Sequence, residues 1–201
     1  RIDSGDITYL TKKTRKMLDD AGYSDVSIVV SNSLDEYIIR EILAQGAQID
    51  SFGVGERLIT SKSEPVFGGV YKLAAIWKDG KMIPKIKVSE NVEKITTPGF
   101  KQVYRLFDRE NGKAIADVMT LHDEVIDENE PYELFDPEHT WKRKTVSGFT
   151  AKKLLCKIFD RGRLCYEEPK LTDIKKYCAE QIDTMWDEVL RFDNPHEYYV
   201  D

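Results

Sequence analysis

Val26-Ser-Ile-Val-Val-Ser-Asn-Ser33 is the stretch that decides the fold of the first third of this 201-residue chain. Its apolar, β-branched run is too short for a helix and too continuous for a half-exposed strand. That is the pattern of a parallel strand covered on both faces. It ends in a polar turn, Ser31-Asn32-Ser33. Upstream, Ile7, Leu10, Met17, Leu18 and Ala21 recur at helical spacing opposite Lys12, Lys13, Arg15 and Lys16, and Gly22 supplies a stop. Downstream, Leu34, Ile38, Ile42 and Ala44-Gln45 lead to Gly46, and the strand-like Gln48-Ile-Asp-Ser-Phe52 ends in Gly53-Val54-Gly55.

The opening run, Arg1-Ile-Asp-Ser-Gly-Asp6, packs a cation, two acids, a hydroxyl and a glycine ahead of the first helical pattern. Such a turn belongs at the carboxyl end of a strand, where α/β folds bind their ligands. The chain is therefore expected to begin partway through an active site, as the second part of a larger enzyme. Short loops between helix and strand predict a parallel sheet with right-handed crossovers, which places all three polar turns on one carboxyl edge. Serine, asparagine and glycine at such ends offer small donors and closely approachable amides, suited to a phosphate or a ribose. Gly-x-Gly alone is explained as often by a tight βα turn; three turns in register carry more weight.

Lys and Arg number 30 against 36 Asp and Glu, a net charge of -6, which disfavours nucleic acid as a main partner. Cys156, Cys165 and Cys178 are odd in number and lack CxxC spacing, so neither a disulfide framework nor a zinc site is indicated, and a reducing cytoplasm is the expected location. No apolar run approaches the length of a membrane span, and no signal peptide is visible.

From Gly68 the pattern changes to β-rich runs. Val70 to Trp77 and Lys81 to Val88 flank Lys78-Asp79-Gly80, Gln102 to Phe107 and Ala114 to Leu121 flank Glu110-Asn111-Gly112, and Leu154 to Phe159 and Leu164 to Tyr166 flank Asp160-Arg161-Gly162. Each is a hairpin signal. The acidic stretch from Asp123 to Glu138, with Pro131 and Pro137, reads as a surface connection. A last long helix is expected after Pro169, with Leu171, Ile174, Cys178, Ile182, Met185, Val189 and Leu190 on one face, ending before Asn194-Pro195.

Five ordered motifs then carry a family resemblance: Arg1-Ile-Asp-Ser-Gly-Asp6, Ser31-Asn-Ser-Leu-Asp-Glu36, Ile49-Asp-Ser-Phe-Gly-Val-Gly55, Gly68-Gly-Val-Tyr-Lys-Leu73 and Lys94-Ile-Thr-Thr-Pro-Gly99. Together with Asn194-Pro-His-Glu-Tyr-Tyr199 they resemble the carboxyl-terminal half of nicotinate phosphoribosyltransferase, over essentially the whole chain. The resemblance implies an α/β fold in which residues 1–66 form part of an irregular, TIM-like α/β barrel. Residues 67–201 would be an antiparallel or mixed β module with the long C-terminal helix, contributing to a second domain.

The implied activity joins nicotinate to phosphoribosyl pyrophosphate, giving nicotinate mononucleotide and pyrophosphate with coupled ATP hydrolysis, in NAD salvage. Mg2+ and the co-substrate ATP come with it, as does a homodimer. Arg1 and Asp3 would be catalytic, Arg1 beside the pyridine carboxylate and the phosphoribosyl group and Asp3 facing the ribose. Ser4, Ser31, Asn32, Gly53 and Gly55 would bind substrate or phosphate. The family's phosphorylated histidine falls in the amino-terminal half, and no metal ligand is assigned to this chain. A relative acting on nicotinamide or quinolinate, or a non-catalytic ligand-binding or structural module, are the alternatives. Local readings compete at some positions: Asp6 favours capping the helix near Ile7, Arg1 could partner Asp3, and His122, His139 and His196 read as surface or structural residues.

Overall fold

Residues 1–91 and 94–201 are described by a computed structural model. The chain divides into two compact units, Arg1–Val70 and Tyr71–Asp201.

In the first unit, helix α1 (Ile7–Asp20) starts where the Asp6 carboxylate accepts the Tyr9 amide at 2.9 Å, so Asp6 is the expected cap. The helix closes as the Tyr23 amide reaches back to the Leu18 carbonyl at 2.8 Å, with Gly22 at φ +82. Arg15 then fastens the loop that follows, donating to the carbonyls of Val26 and Tyr23 at 2.7 and 2.9 Å. Strand β1 (Val29–Val30) pairs in parallel with β2 (Ser51–Phe52), and helix α2 (Glu36–Ala44) connects them. Ile2 bridges in parallel to Val30 from the other side. The order Ile2, β1, β2 is thus a short parallel sheet.

Ile7, Ile28, Val30, Leu34, Ile42 and Ala47 form the buried core of this unit. Thr11 is fully buried in α1, where its hydroxyl donates to the Thr8 carbonyl at 3.1 Å and accepts the Gln48 amide at 3.3 Å. That pairing satisfies a polar group inside an apolar layer and ties α1 to the approach to β2. A single-turn helix, α3 (Glu56–Ile59), follows the second strand. The unit carries too few strands to close a barrel, so the α/β layer is the architecture seen here.

In the second unit, β3 (Ala75–Lys78) and β4 (Lys81–Pro84) form a hairpin about Asp79 and Gly80, at φ 52 and 73. Two consecutive left-handed residues make the type I′ geometry that matches strand twist. Strands β5 (Lys101–Asp108) and β6 (Ala114–Leu121) form the expected long hairpin. Burial alternates along both, with Tyr104, Leu106, Ala116 and Val118 turned inward. The four-stranded sheet has the order β12-β6-β5-β9, where β9 is Phe149–Lys153 and β12 is Tyr199–Val200, parallel to β6.

Three expectations are corrected in this unit. The acidic stretch from Asp123 to Glu138 is more than a surface connection, because β7 (Tyr132–Phe135) lies in it and pairs with β8 (Arg143–Val146). Leu134 is 2% exposed there, so the alternation of Tyr132, Glu133, Leu134 and Phe135 outweighs the acidic composition. The hairpin about Arg161 and Gly162 keeps only β10 (Phe159–Asp160) and β11 (Arg163–Leu164), since the Leu154 amide extends the β9 pairing to the Val103 carbonyl at 2.9 Å.

The last helix, α4 (Leu171–Asp183), ends at Thr184 rather than running on to Leu190. The start of β6 takes over its end: the Ala114 amide donates to the Thr184 carbonyl at 2.8 Å, and the Lys113 ammonium to the Asp183 and Met185 carbonyls at 3.0 and 2.9 Å. A cation at a helix carboxyl end is favourable, and these partners satisfy carbonyls that a further turn would have used. No residue of α4 is buried, and Leu171, Ile174 and Ile182 stay exposed.

Candidate active site at the strand ends

Backbone hydrogen bonds carry the parallel ladder to the point where the strands end. The Ile2 amide donates to the Val29 carbonyl at 2.9 Å, the Ser31 amide to the Ile2 carbonyl at 3.0 Å, and the Gly53 amide to the Val30 carbonyl at 2.8 Å. Asp3-Ser4, Ser31-Asn32 and Gly53-Val54-Gly55 therefore leave the Ile2 bridge, β1 and β2 at one edge. Gly53 lies beside Ser31: a Cβ built on Gly53 would stand 3.5 Å from that of Ser31.

Arg1, Asp3, Ser4, Asn32, Gly53 and Gly55 are exposed at this edge, and Ser31 is half-buried. Arg1 donates to Asp3 at 3.1 Å with both side chains more than half exposed, so the local pairing exists alongside access to solvent. At 67% and 56% exposure such a pair holds loosely and is easily opened by a competing anion. Asn32 and Ser33 sit at φ 109 and 46, two consecutive non-glycine residues in the left-handed region. Strain of this kind, of order 1–3 kcal/mol per residue, persists where the surroundings over-determine it, and it clusters at ligand sites.

Asp35 closes that turn. Its carboxylate caps α2 by accepting the Ile38 amide at 2.8 Å and also accepts from Arg57. The Ile38 amide first, and the Arg57 guanidinium after it, hold the Asp35 carboxyl below the usual carboxylate range against the opposing effect of burial. Asp35, Glu36, Tyr37, Arg57, Lys62 and Ser63 line a recess of about 260 Å³. The pairing of Arg57 with Asp35 was not legible in the sequence, although the place of Arg57 two residues beyond the Gly53-Val54-Gly55 turn was an available signal.

The histidines lie in the second unit. His122 packs against Phe100 in a tilted arrangement with ring centroids 4.3 Å apart, His139 meets Asp136 at 3.1 Å, and the His196 amide donates to the Glu188 carbonyl at 2.8 Å. Asp136 accepts the amides of His139 and Glu138, which with the His139 ring lower its pKa to about 2. The three cysteines are free and exposed. Among the described residues no group of three or more His, Cys, Asp and Glu side chains gathers to hold a metal ion, and no helix is long and apolar enough to cross a membrane.

An α/β protein with a donor-lined rim at its strand ends is the class that this geometry defines. Residues 100–201 match the family model described as the nicotinate phosphoribosyltransferase C-terminal domain, and the chain belongs to that family. It is 46% identical over its whole length to nicotinate phosphoribosyltransferase of Bacillus subtilis, and 35% identical to that of Dictyostelium discoideum, spanning 41% and 36% of those proteins. The chain thus covers about two fifths of the length of these curated relatives. The crystal structure of human nicotinic acid phosphoribosyltransferase shares the fold over 100% of the chain and 37% of its own, at a TM-score of 0.69 and 24% identity. The structure of nicotinate-nucleotide pyrophosphorylase from Pyrococcus furiosus superposes over 92% of the chain and 39% of its own, at a TM-score of 0.52 and 27% identity.

Proposed function

We propose that this chain is the carboxyl-terminal part of an enzyme that transfers a phosphoribosyl group from phosphoribosyl pyrophosphate to nicotinate, in NAD salvage. The observation that carries the reading is the adjacency of the Arg1–Asp6, Ser31–Ser33 and Gly53–Gly55 turns, joined in parallel through the Ile2 bridge and the β1–β2 pair. Membership of the family supports it.

The chemistry suits such a rim. Departure of pyrophosphate from the anomeric carbon builds oxocarbenium character, and the pyridine nitrogen must approach in line, so catalysis rests on fixing the ribose phosphate and on placing charge. Ser4, Ser31 and Asn32 would donate to the ribose or its phosphate, and the Gly53 and Gly55 amides would hold the phosphate. Asp3 would accept from ribose hydroxyls. The Arg1 guanidinium suits the carboxylate of nicotinate better than the amide of nicotinamide. Magnesium carried on pyrophosphate keeps several waters and needs only one or two carboxylates, a demand that the exposed Asp3 fits. ATP coupling, an irregular α/β barrel, a homodimer and a cytoplasmic location, which the free thiols suit, belong to the same reading.

Steady-state turnover of the complete polypeptide tests it. Arg1→Ala and Asp3→Asn are expected to lower turnover strongly while the thermal midpoint holds; wild-type rates from both would refute the assignment.

A further inference from the structure

Resting on that reading, we infer that Arg57 is a positioning residue: by gripping Asp35 it fixes the spacing of the Ser31–Ser33 and Gly53–Gly55 turns, and with it the fit of the ribose phosphate.

The strained turn at Asn32 and Ser33 needs anchors on both flanks. Its entry is held by the Ser31 amide on the Ile2 carbonyl, at 3.0 Å. Its exit is held by Leu34, 1% exposed, and by Asp35, whose two carboxylate oxygens are taken by the Ile38 amide and by Arg57. The third turn has the complementary need. Its entry is held by the Gly53 amide on the Val30 carbonyl at 2.8 Å, but its exit runs into α3, a helix of 4 residues that buries none of them and has no side-chain cap at Gly55. One helical turn does not stabilise itself, so its position depends on what it grips. Arg57 lies on that turn, and its grip is Asp35, across a separation of 22 residues. The side chains are 31% and 18% exposed, which spares the pair much of the screening of a surface ion pair. The clasp therefore joins the exit of one donor turn to the exit of the next.

A clasp of this kind acts on phosphate grip in ground state and transition state alike, so its loss raises KM rather than lowering kcat. The test is steady-state kinetics of the complete polypeptide with Arg57→Ala, Arg57→Lys and Asp35→Asn, asparagine being retained because it still caps α2. Arg57→Ala and Asp35→Asn are expected to raise KM for phosphoribosyl pyrophosphate about fivefold, the scale of one partly buried pair, with kcat changed less than about twofold. KM for nicotinate should hold, Arg57→Lys should recover most of the loss, and the double variant should be no worse than either single one. An unchanged KM in an active Arg57→Ala enzyme overturns the inference. So does a fall in kcat and thermal midpoint together with the KM effect, which marks a merely structural pair. A wild type inert with nicotinate overturns the proposed function itself, and the inference with it.

Discussion

Gly53 lies beside Ser31 where their strands end: its amide holds the Val30 carbonyl at 2.8 Å, and an added Cβ would rest 3.5 Å from the Ser31 Cβ, an ordinary van der Waals distance. Gly53 also has no positive φ, so the fold does not demand glycine at this position. Under the proposed function, a side chain there would stand where the phosphate approaches the rim. Gly53→Ala is expected to shift the thermal midpoint by less than about 2 °C, since it removes chain entropy without strain. It should raise KM for phosphoribosyl pyrophosphate by about tenfold, as loss of a close backbone contact would. Calorimetry and kinetics on the same preparation check both halves.

Gly99 is the opposite case. Its φ is +100, a Cβ there would stand 2.8 Å from Leu121 Cδ2, and its amide donates to the Ala74 carbonyl at 2.8 Å. Gly99→Ala is expected to cost about 1–3 kcal/mol in urea unfolding, with the backbone term dominating because the Leu121 tip can yield.

Asp136 gives the second unit an acid sensitivity. Its pKa falls from 3.8 to about 2, chiefly through the His139 amide, so the folded state favours its charged form. That contribution is complete above the unfolded value, near 4, and is lost as pH falls through about 2. Asp136→Asn should lower the urea midpoint at neutral pH, and its difference from wild type should vanish between about pH 4 and 2.

Arg105 and Asp117 pair face to face at 2.7 and 2.8 Å, and the Tyr198 hydroxyl donates to Asp117 at 3.1 Å. Burial first, and the Asp117 charge after it, push the Tyr198 phenol above its usual value; burial, Asp201 and Glu124 do the same to Tyr132. Stability from these groups is present below the unfolded phenol value, about 10, and is lost as pH rises through the folded values. Both should ionise above the ordinary phenol value in a near-ultraviolet titration. Tyr198→Phe should remove one late step.

The α/β layer was legible because Ile28 to Val30 is a β-branched run, buried at Ile28 and Val30, bounded by helical periodicity on each side. The long β5–β6 hairpin was legible from its alternation and its Asn111-Gly112 turn. Strand β9 was not, since two lysines in Phe149–Lys153 mask a strand whose pairing to β5 depends on tertiary context. The end of α4 escaped for a related reason: Lys113 and Ala114 capture its carbonyls from 70 or more residues away. At the rim, the residues of the three turns were readable from local composition. The grip of Arg57 on Asp35 was not, because only the sheet brings positions 22 apart together.

Pyrophosphate release from phosphoribosyl pyrophosphate by the complete polypeptide, with nicotinate, nicotinamide or quinolinate, each with and without ATP, tests the central claim most directly. The account predicts release that depends on nicotinate and is stimulated by ATP. Release that instead follows nicotinamide or quinolinate, or no release from a well-folded protein, would contradict it.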